Sequence, residues 1–190
     1  MATQIPELYF QFYGRVAWRF EPLQVCADNL RRGFETGLSS GNNEMGLQCA
    51  FHAIKTAIVS GANLKSTLKE IDYYLHLLKT FKSAKMYSNI LIYRETVTVL
   101  IDKGDATSIQ EKNLCGDLDD PSNKLRDGLF CHRAIRAYWS GYTERCNHYS
   151  EKYMSISWPE ARFMKLQMEF YHGKGAEDVI MVMVINYTLF

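Results

Sequence analysis

Two pairs of possible metal ligands, Cys131–His132 and Cys146–x–His148, flank the break Ser140–Gly141. Thiolate and imidazole are the usual donors of a tetrahedral zinc site, so such a site would need the two pairs to converge across a helical hairpin. The spacing opposes it. Antiparallel helices leaving that turn would set Cys131 near Met154 rather than near Cys146, and within each pair the two donors fall on different helix faces. A cysteine nucleophile needs a histidine in hydrogen-bond reach and a third group to orient it. Nothing in the spacing of Cys26, Cys49, Cys115, Cys131 and Cys146 against His52, His76, His132, His148 and His172 points to one. Asp72 and Glu95 are the acids expected to be partly buried, in structural pairs with Arg94 or a nearby lysine. No G-x-x-x-x-G-K-[ST] phosphate loop and no kinase catalytic-loop or magnesium motif is present. The sequence therefore reads as a non-enzyme: no catalytic residue, no cofactor-binding residue and no metal ligand is assigned, and no cofactor is expected.

The bulk properties narrow the classes further. The 190 residues are 47% hydrophobic and 13% aromatic, enough for one domain with a substantial core. Twenty-two Lys and Arg against twenty-one Asp and Glu leave a net charge of +1, which argues against a nucleic-acid binder tracking phosphates. Lys79, Lys82 and Lys85 read as the solvated end of a helix. The start "MATQIPELYFQF" lacks a basic segment followed by an apolar one, so no secretory signal is visible. Five cysteines without close pairs suit reduced, buried thiols in a cytoplasmic protein, where the sequon Asn186–Tyr187–Thr188 has no role. No apolar run approaches the roughly 20 residues needed to span a bilayer.

The elements that would position these residues are helices. From Pro22, the residues Leu23, Ala27, Leu30, Phe34 and Leu38 recur at steps of four and three, one stripe of an α-helix. Ser40–Gly41 ends it, since glycine reaches the left-handed conformation without a Cβ clash, and Asn42 or Asn43 can cap the next helix. That helix, "NEMGLQCAFHAIKTAIV", is apolar nearly all round, with Gly46, Ala50, Ala53 and Ala57 as a small-residue stripe that admits a neighbouring backbone. After Ser60–Gly61 comes an amphipathic helix through Leu64, Leu68, Ile71, Leu75, Leu78 and Phe81. Of these, Leu68, Ile71, Leu75 and Leu78 should pack against the helix before it. Another helix runs from about Ala84 to Ile101 through Tyr87, Ile90, Leu91, Val97 and Leu100. A long polar loop over about 103–121 divides the chain. Beyond Pro121, Leu125, Cys131, Ala134, Ile135 and Tyr138 carry one helix and Tyr142, Cys146, Tyr149, Tyr153 and Ile156 the next. Pro159 opens a last helix through Phe163, Leu166 and Phe170. The helix starts at Pro22 and Leu64 lie 42 residues apart, and the next pair begins about 40 residues on. That period predicts an all-α fold of antiparallel hairpins stacked as a tetratricopeptide-like α-solenoid over residues 1–175, with a closed helical bundle as the alternative.

Several motifs carry a resemblance. Tyr13, Gly14, Trp18, Pro22, Gly33, Gly37, Gly41 and Glu44, then Gly61 and Leu64, follow a pattern that resembles the tetratricopeptide-like helical region of large signalling (STAND-type) ATPases, often fused to histidine or serine/threonine kinases. "AYWSGYTERCNHYSEKY" is similar to a later hairpin of that region, and "FYHG" at Phe170–Gly173 to the start of its next helix. The chain departs from the pattern at Ala17 and at Gly41–Asn42, and it lacks the modules that carry the family's ATPase and kinase chemistry. The resemblance implies a regulatory repeat fragment that binds protein or peptide segments in the groove of the stack, not nucleic acid and not membrane. A helical-bundle enzyme or small-ligand protein is the second reading. Trp18, Trp139 and Trp158 are expected to wedge between layers, with lining of a peptide groove as the functional alternative. The end, "KGAEDVIMVMVINYTLF", breaks the helical pattern, so residues 176–190 are expected to be a poorly ordered apolar tail. The chain would then end abnormally near Gly173, as a truncated or misjoined gene product would.

Overall fold

The computed structural model describes residues 4–102 and 126–155. Among these residues the chain is wholly helical, with seven α-helices and no strand. They are α1 (Ile5–Arg15), α2 (Leu23–Ser39), α3 (Asn43–Val59), α4 (Leu64–Thr80), α5 (Ala84–Asp102), α6 (Arg126–Trp139) and α7 (Thr143–Met154), with a 3-10 turn at Ala17–Arg19. The chain divides into two compact units, one ending at Ile90 and the other beginning at Leu91, so the boundary falls inside α5. The expected loop over 103–121, the helix after Pro159 and the tail at 176–190 lie outside the described residues, as do Cys115, Trp158, His172 and the sequon at Asn186.

Local chemistry sets the helix ends. Asn42 caps α3 by accepting from the Met45 amide at 3.3 Å, and Asn63 caps α4 through the Ser66 amide at 3.1 Å. Pro22 sits at the N-cap of α2 rather than inside its first turn. Gly41, Gly61 and Gly141 all take positive φ, between 73° and 78°. The last carbonyls of α3 close on this turn: the Gly61 amide donates to Ile58 O at 3.2 Å and the Ala62 amide to Ala57 O at 3.0 Å. The serine before the glycine adds its hydroxyl, with Ser60 Oγ donating to Ala57 O at 2.9 Å and Ser40 Oγ to Gly37 O at 3.4 Å. The turn between α4 and α5 carries no glycine: Lys82 holds φ 55° while the Lys82 and Ser83 amides close on Lys79 and Leu78.

In the first unit α2 and α3 approach at glycines. A Cβ on Gly37 would lie 2.5 Å from Gly46 Cα and 2.8 Å from Gly46 N, so the two backbones touch there. A Cβ on Gly33 would meet Cys49 Sγ at 2.8 Å and Tyr9 Cβ at 2.7 Å. Contacts along α2 and α3 therefore run in opposite order, and α1 lies over both. The buried face of α2 is Cys26, Ala27, Leu30, Gly33, Phe34 and Gly37. The predicted stripe shares Ala27, Leu30 and Phe34 with it, whereas Leu23 and Leu38 are only half-buried. The difference arises because the two glycines, invisible to a count of apolar side chains, are where another helix comes closest. On α3 only Glu44 is fully exposed. On α4, Ile71, Leu75 and Leu78 are buried, while Leu68 is half-buried and Phe81 exposed. Thr67 and Tyr74 are buried on that face instead.

The second unit joins the distal part of α5 to α6 and α7. Ile92, Tyr93, Glu95, Thr96, Val97 and Val99 are all buried, so α5 is enclosed on more sides than a single stripe. Thr96 tolerates this because its hydroxyl donates to Ile92 O at 3.0 Å. From α6 come Leu129, Phe130, Cys131, Ala134, Ile135 and Ala137, and from α7 Cys146 and Tyr153. Tyr138 and Tyr142, expected on the core stripes, are exposed. Both flank the turn at Gly141, which holds a positive φ of 78°.

Candidate interaction surfaces and buried polar groups

Among the described residues the four cysteines, with His52 and His132, are dispersed into packing. Cys26, Cys49, Cys131 and Cys146 are buried free thiols. Burial pushes the Cys26 thiol up to about 11, aided by Glu21, and Cys49 to about 12, so neither forms a ready thiolate. Cys146 is raised by burial as well and lies 4.0 Å from Ser150 Oγ. Among the described residues, no group of three or more His, Cys, Asp and Glu side chains is placed to hold a metal.

His132 meets Thr96, with Nδ1 2.9 Å from Oγ1, and the edge of Tyr93 stands 4.1 Å away between ring centroids. Thr96 Oγ1 also lies 3.0 Å from Ile92 O, so the hydroxyl joins the α5 backbone to the His132 ring. His148 and His76 are exposed. His52 packs edge-on against Phe10 at 4.9 Å and Phe51 at 5.5 Å. Desolvation, with the Lys55 and Arg15 cations adding to it, lowers its pKa to about 3, so the ring is neutral at ordinary pH. Arg136, near the end of α6, is only 1% exposed. Burying a cation at that depth requires hydrogen-bonded surroundings.

Of the two acids expected to be partly buried, Glu95 is buried but Asp72 is exposed. The place expected for Asp72 belongs to Glu70, two residues earlier and on a different face. Its carboxylate accepts from Arg31 Nε at 2.8 Å through Oε1 and from Nη2 at 2.8 Å through Oε2. Tyr74 Oη also donates to Oε1, at 2.8 Å, and Asp28 takes Arg31 Nη1 at 2.8 Å. This forked pairing fixes α2 to α4. Donating to the Glu70 carboxylate holds Arg31 firmly protonated, and burial followed by the Glu70 charge raises the Tyr74 pKa well above its usual range. Phe34 and Tyr73 pack beside it, with Tyr73 half in water. The Glu70–Tyr74 spacing of four was a visible signal of a shared face; the partner Arg31, 39 residues away, was not.

Two tryptophans have opposite settings. Trp18 is half-buried, its Nε1 donating to Arg15 O at 2.9 Å. Trp139 is 66% exposed, so it does not wedge between layers. It forms a right-angled pair with Tyr138, ring centroids 5.6 Å apart, and Arg145 in the first turn of α7 lies 5.0 Å over the N-cap residue Tyr142. Among the described residues no helix is long and apolar enough to cross a membrane. No family model, curated protein or solved structure matches the chain.

Proposed function

We propose that the chain is a non-catalytic helical-repeat scaffold that binds protein segments in the cytoplasm, akin to the regulatory repeat region of a large signalling ATPase. Its hairpins would stack antiparallel as a tetratricopeptide-like solenoid. The observation that supports this reading is the Arg31–Glu70 fork, which ties α2 to α4. That neighbour relation is what a repeat stack requires. Exposed aromatic and arginine side chains beyond the needs of folding give it binding chemistry. The reading assigns no reaction, cofactor or metal, and no nucleic-acid or membrane partner.

The test is affinity capture with the full chain as bait, followed by direct titration of synthetic segments of the captured proteins. Saturable binding of an extended segment at micromolar concentration, with no nucleotide turnover, is the expected result. The buried polar groups of the second unit (Tyr93, Glu95, His132 and Arg136) favour one other reading, a small-ligand protein. A purified chain that captures no protein yet retains a stoichiometric small molecule in native mass spectrometry would overturn the scaffold reading.

A further inference from the structure

The outer side of α1 carries an apolar stripe that the first unit leaves uncovered. The inner side is taken up by packing: Pro6 and Phe10 are buried, and Pro6 O accepts from Cys49 Sγ at 3.3 Å. Away from them Ile5, Leu8, Phe12 and Val16 recur at steps of three and four, and Phe20 follows four residues on. All five are between 41% and 73% exposed, so none of them serves the core. Val16 still belongs to the stripe, because its amide donates to Phe12 O at 2.9 Å. No other described helix of the first unit exposes more than one large apolar residue. Folding of that unit does not use this face.

A polar row runs beside the stripe. Glu7, Gln11 and Arg15 are exposed and follow one another at steps of four, each one residue before Leu8, Phe12 or Val16. Both rows are ridges of the i±4 kind, which interdigitate where two helices cross. The ends of the polar row carry opposite charge and lie about 12 Å apart along the axis, too far to pair within one helix. Among the described residues neither Glu7 nor Arg15 enters an ion pair. The Arg15 guanidinium lies 5.0 Å over the Phe10 ring, a stacking that leaves its edge donors for a carboxylate.

We infer that the outer face of α1 docks a second copy of this chain, antiparallel about a two-fold axis. Acid, amide and base read backwards as base, amide and acid, so the row is complementary to its own reverse. An antiparallel copy sets Glu7 of each chain against Arg15 of the other, and Gln11 against Gln11, whose amides can exchange hydrogen bonds. A parallel copy would oppose like charges at both ends. Leu8 and Phe12 flank the middle of the row, so they close on their counterparts and leave water together. A lipid surface fits less well: an interfacial helix carries a polar face rich in Lys and Arg, whereas residues 4–21 hold two arginines against two glutamates. Ile5 to Val16 runs roughly 17 Å along the helix, and a stable partner face needs roughly 800 Å². The pairing is therefore weak and in exchange with the monomer. It is independent of the scaffold reading.

The test is sedimentation velocity of the full chain from about 1 to 300 μM, where a monomer–dimer exchange with a dissociation constant on the order of 10–100 μM is expected. Leu8→Gln with Phe12→Gln should leave a monomer throughout. Both side chains are exposed, so the melting temperature at low concentration should not fall. Glu7→Arg alone faces cation with cation, and Arg15→Glu alone faces acid with acid, so each should weaken the dimer roughly tenfold. Mixed in equal amounts, these two variants oppose unlike charges at both ends and should pair as tightly as the parent chain. A parent chain that stays monomeric overturns the proposal. So does a dimer that survives the Leu8 and Phe12 exchange, or a pair of charge variants that each dimerise as tightly as the parent. Co-sedimentation with phosphatidylserine vesicles tests the other occupant: vesicle binding that needs Leu8 and Phe12, by a chain that stays monomeric, overturns the proposal in favour of a lipid surface.

Discussion

Gly37 offers the sharpest test of how the first unit is packed. An alanine there would place Cβ 2.5 Å from Gly46 Cα and 2.8 Å from Gly46 N, and both are backbone atoms that cannot rotate aside. Carbon atoms rest about 3.5–4.0 Å apart, so α2 and α3 would have to part by about 1 Å. Overpacking of this kind costs about 1–3 kcal/mol. Against it stands the gain of alanine over glycine in a helix, at most about 1 kcal/mol, and smaller here in the last turn of α2. Gly37→Ala should therefore destabilise the chain by about 1–3 kcal/mol in urea unfolding followed by circular dichroism. Gly128→Ala is the control, since a Cβ there meets nothing within 4 Å inside α6. It should stabilise by about 0.5–1 kcal/mol. A neutral or stabilising Gly37→Ala would refute the backbone contact between α2 and α3.

Three further outcomes follow from other sites. Lys82 holds φ 55° where the other three turns use glycine, so Lys82→Gly should stabilise by about 0.5–1 kcal/mol in the same assay. Leu75 is 6% exposed on the inner face of α4; Leu75→Ala should cost about 2–5 kcal/mol, and a loss below half a kcal/mol would place that face in solvent. His52 has a folded pKa of about 3 against 6.5 for the free group. The unfolded chain therefore binds the extra proton, and the stability tied to the neutral ring is complete above about pH 6.5 and lost as pH falls towards 3. The slope from this residue is at most about 1.4 kcal/mol per pH unit, and His52→Phe should flatten the fall in melting temperature between pH 6 and pH 4.

The all-helical class and most helix ends from α2 onward were legible in the order of the amino acids, whereas α1 (Ile5–Arg15) was not read from it. Capping needs only residues within one turn of each other: Asn42 reaches Met45, Asn63 reaches Ser66, and Ser60 turns back on Ala57. The periodicity of α4 likewise named Ile71, Leu75 and Leu78 as core. Lys82 escaped, since nothing in its type announces a left-handed backbone. Which groups meet depended instead on how the helices come together. Glu70 rather than Asp72 took the ion pair because Arg31 of α2 faces it. His132 became a partner of Thr96 because the two meet between α5 and α6. Gly33 and Gly37 became contact points because α1 and α3 close on them, and Trp139 stayed in water beside the turn at Gly141. These choices join residues 36, 39 and 43 apart, as in Thr96–His132, Arg31–Glu70 and Pro6–Cys49. A helical period fixes which side chains share a face, but the energy of a face depends on what is brought against it, and that is set by how whole helices pack.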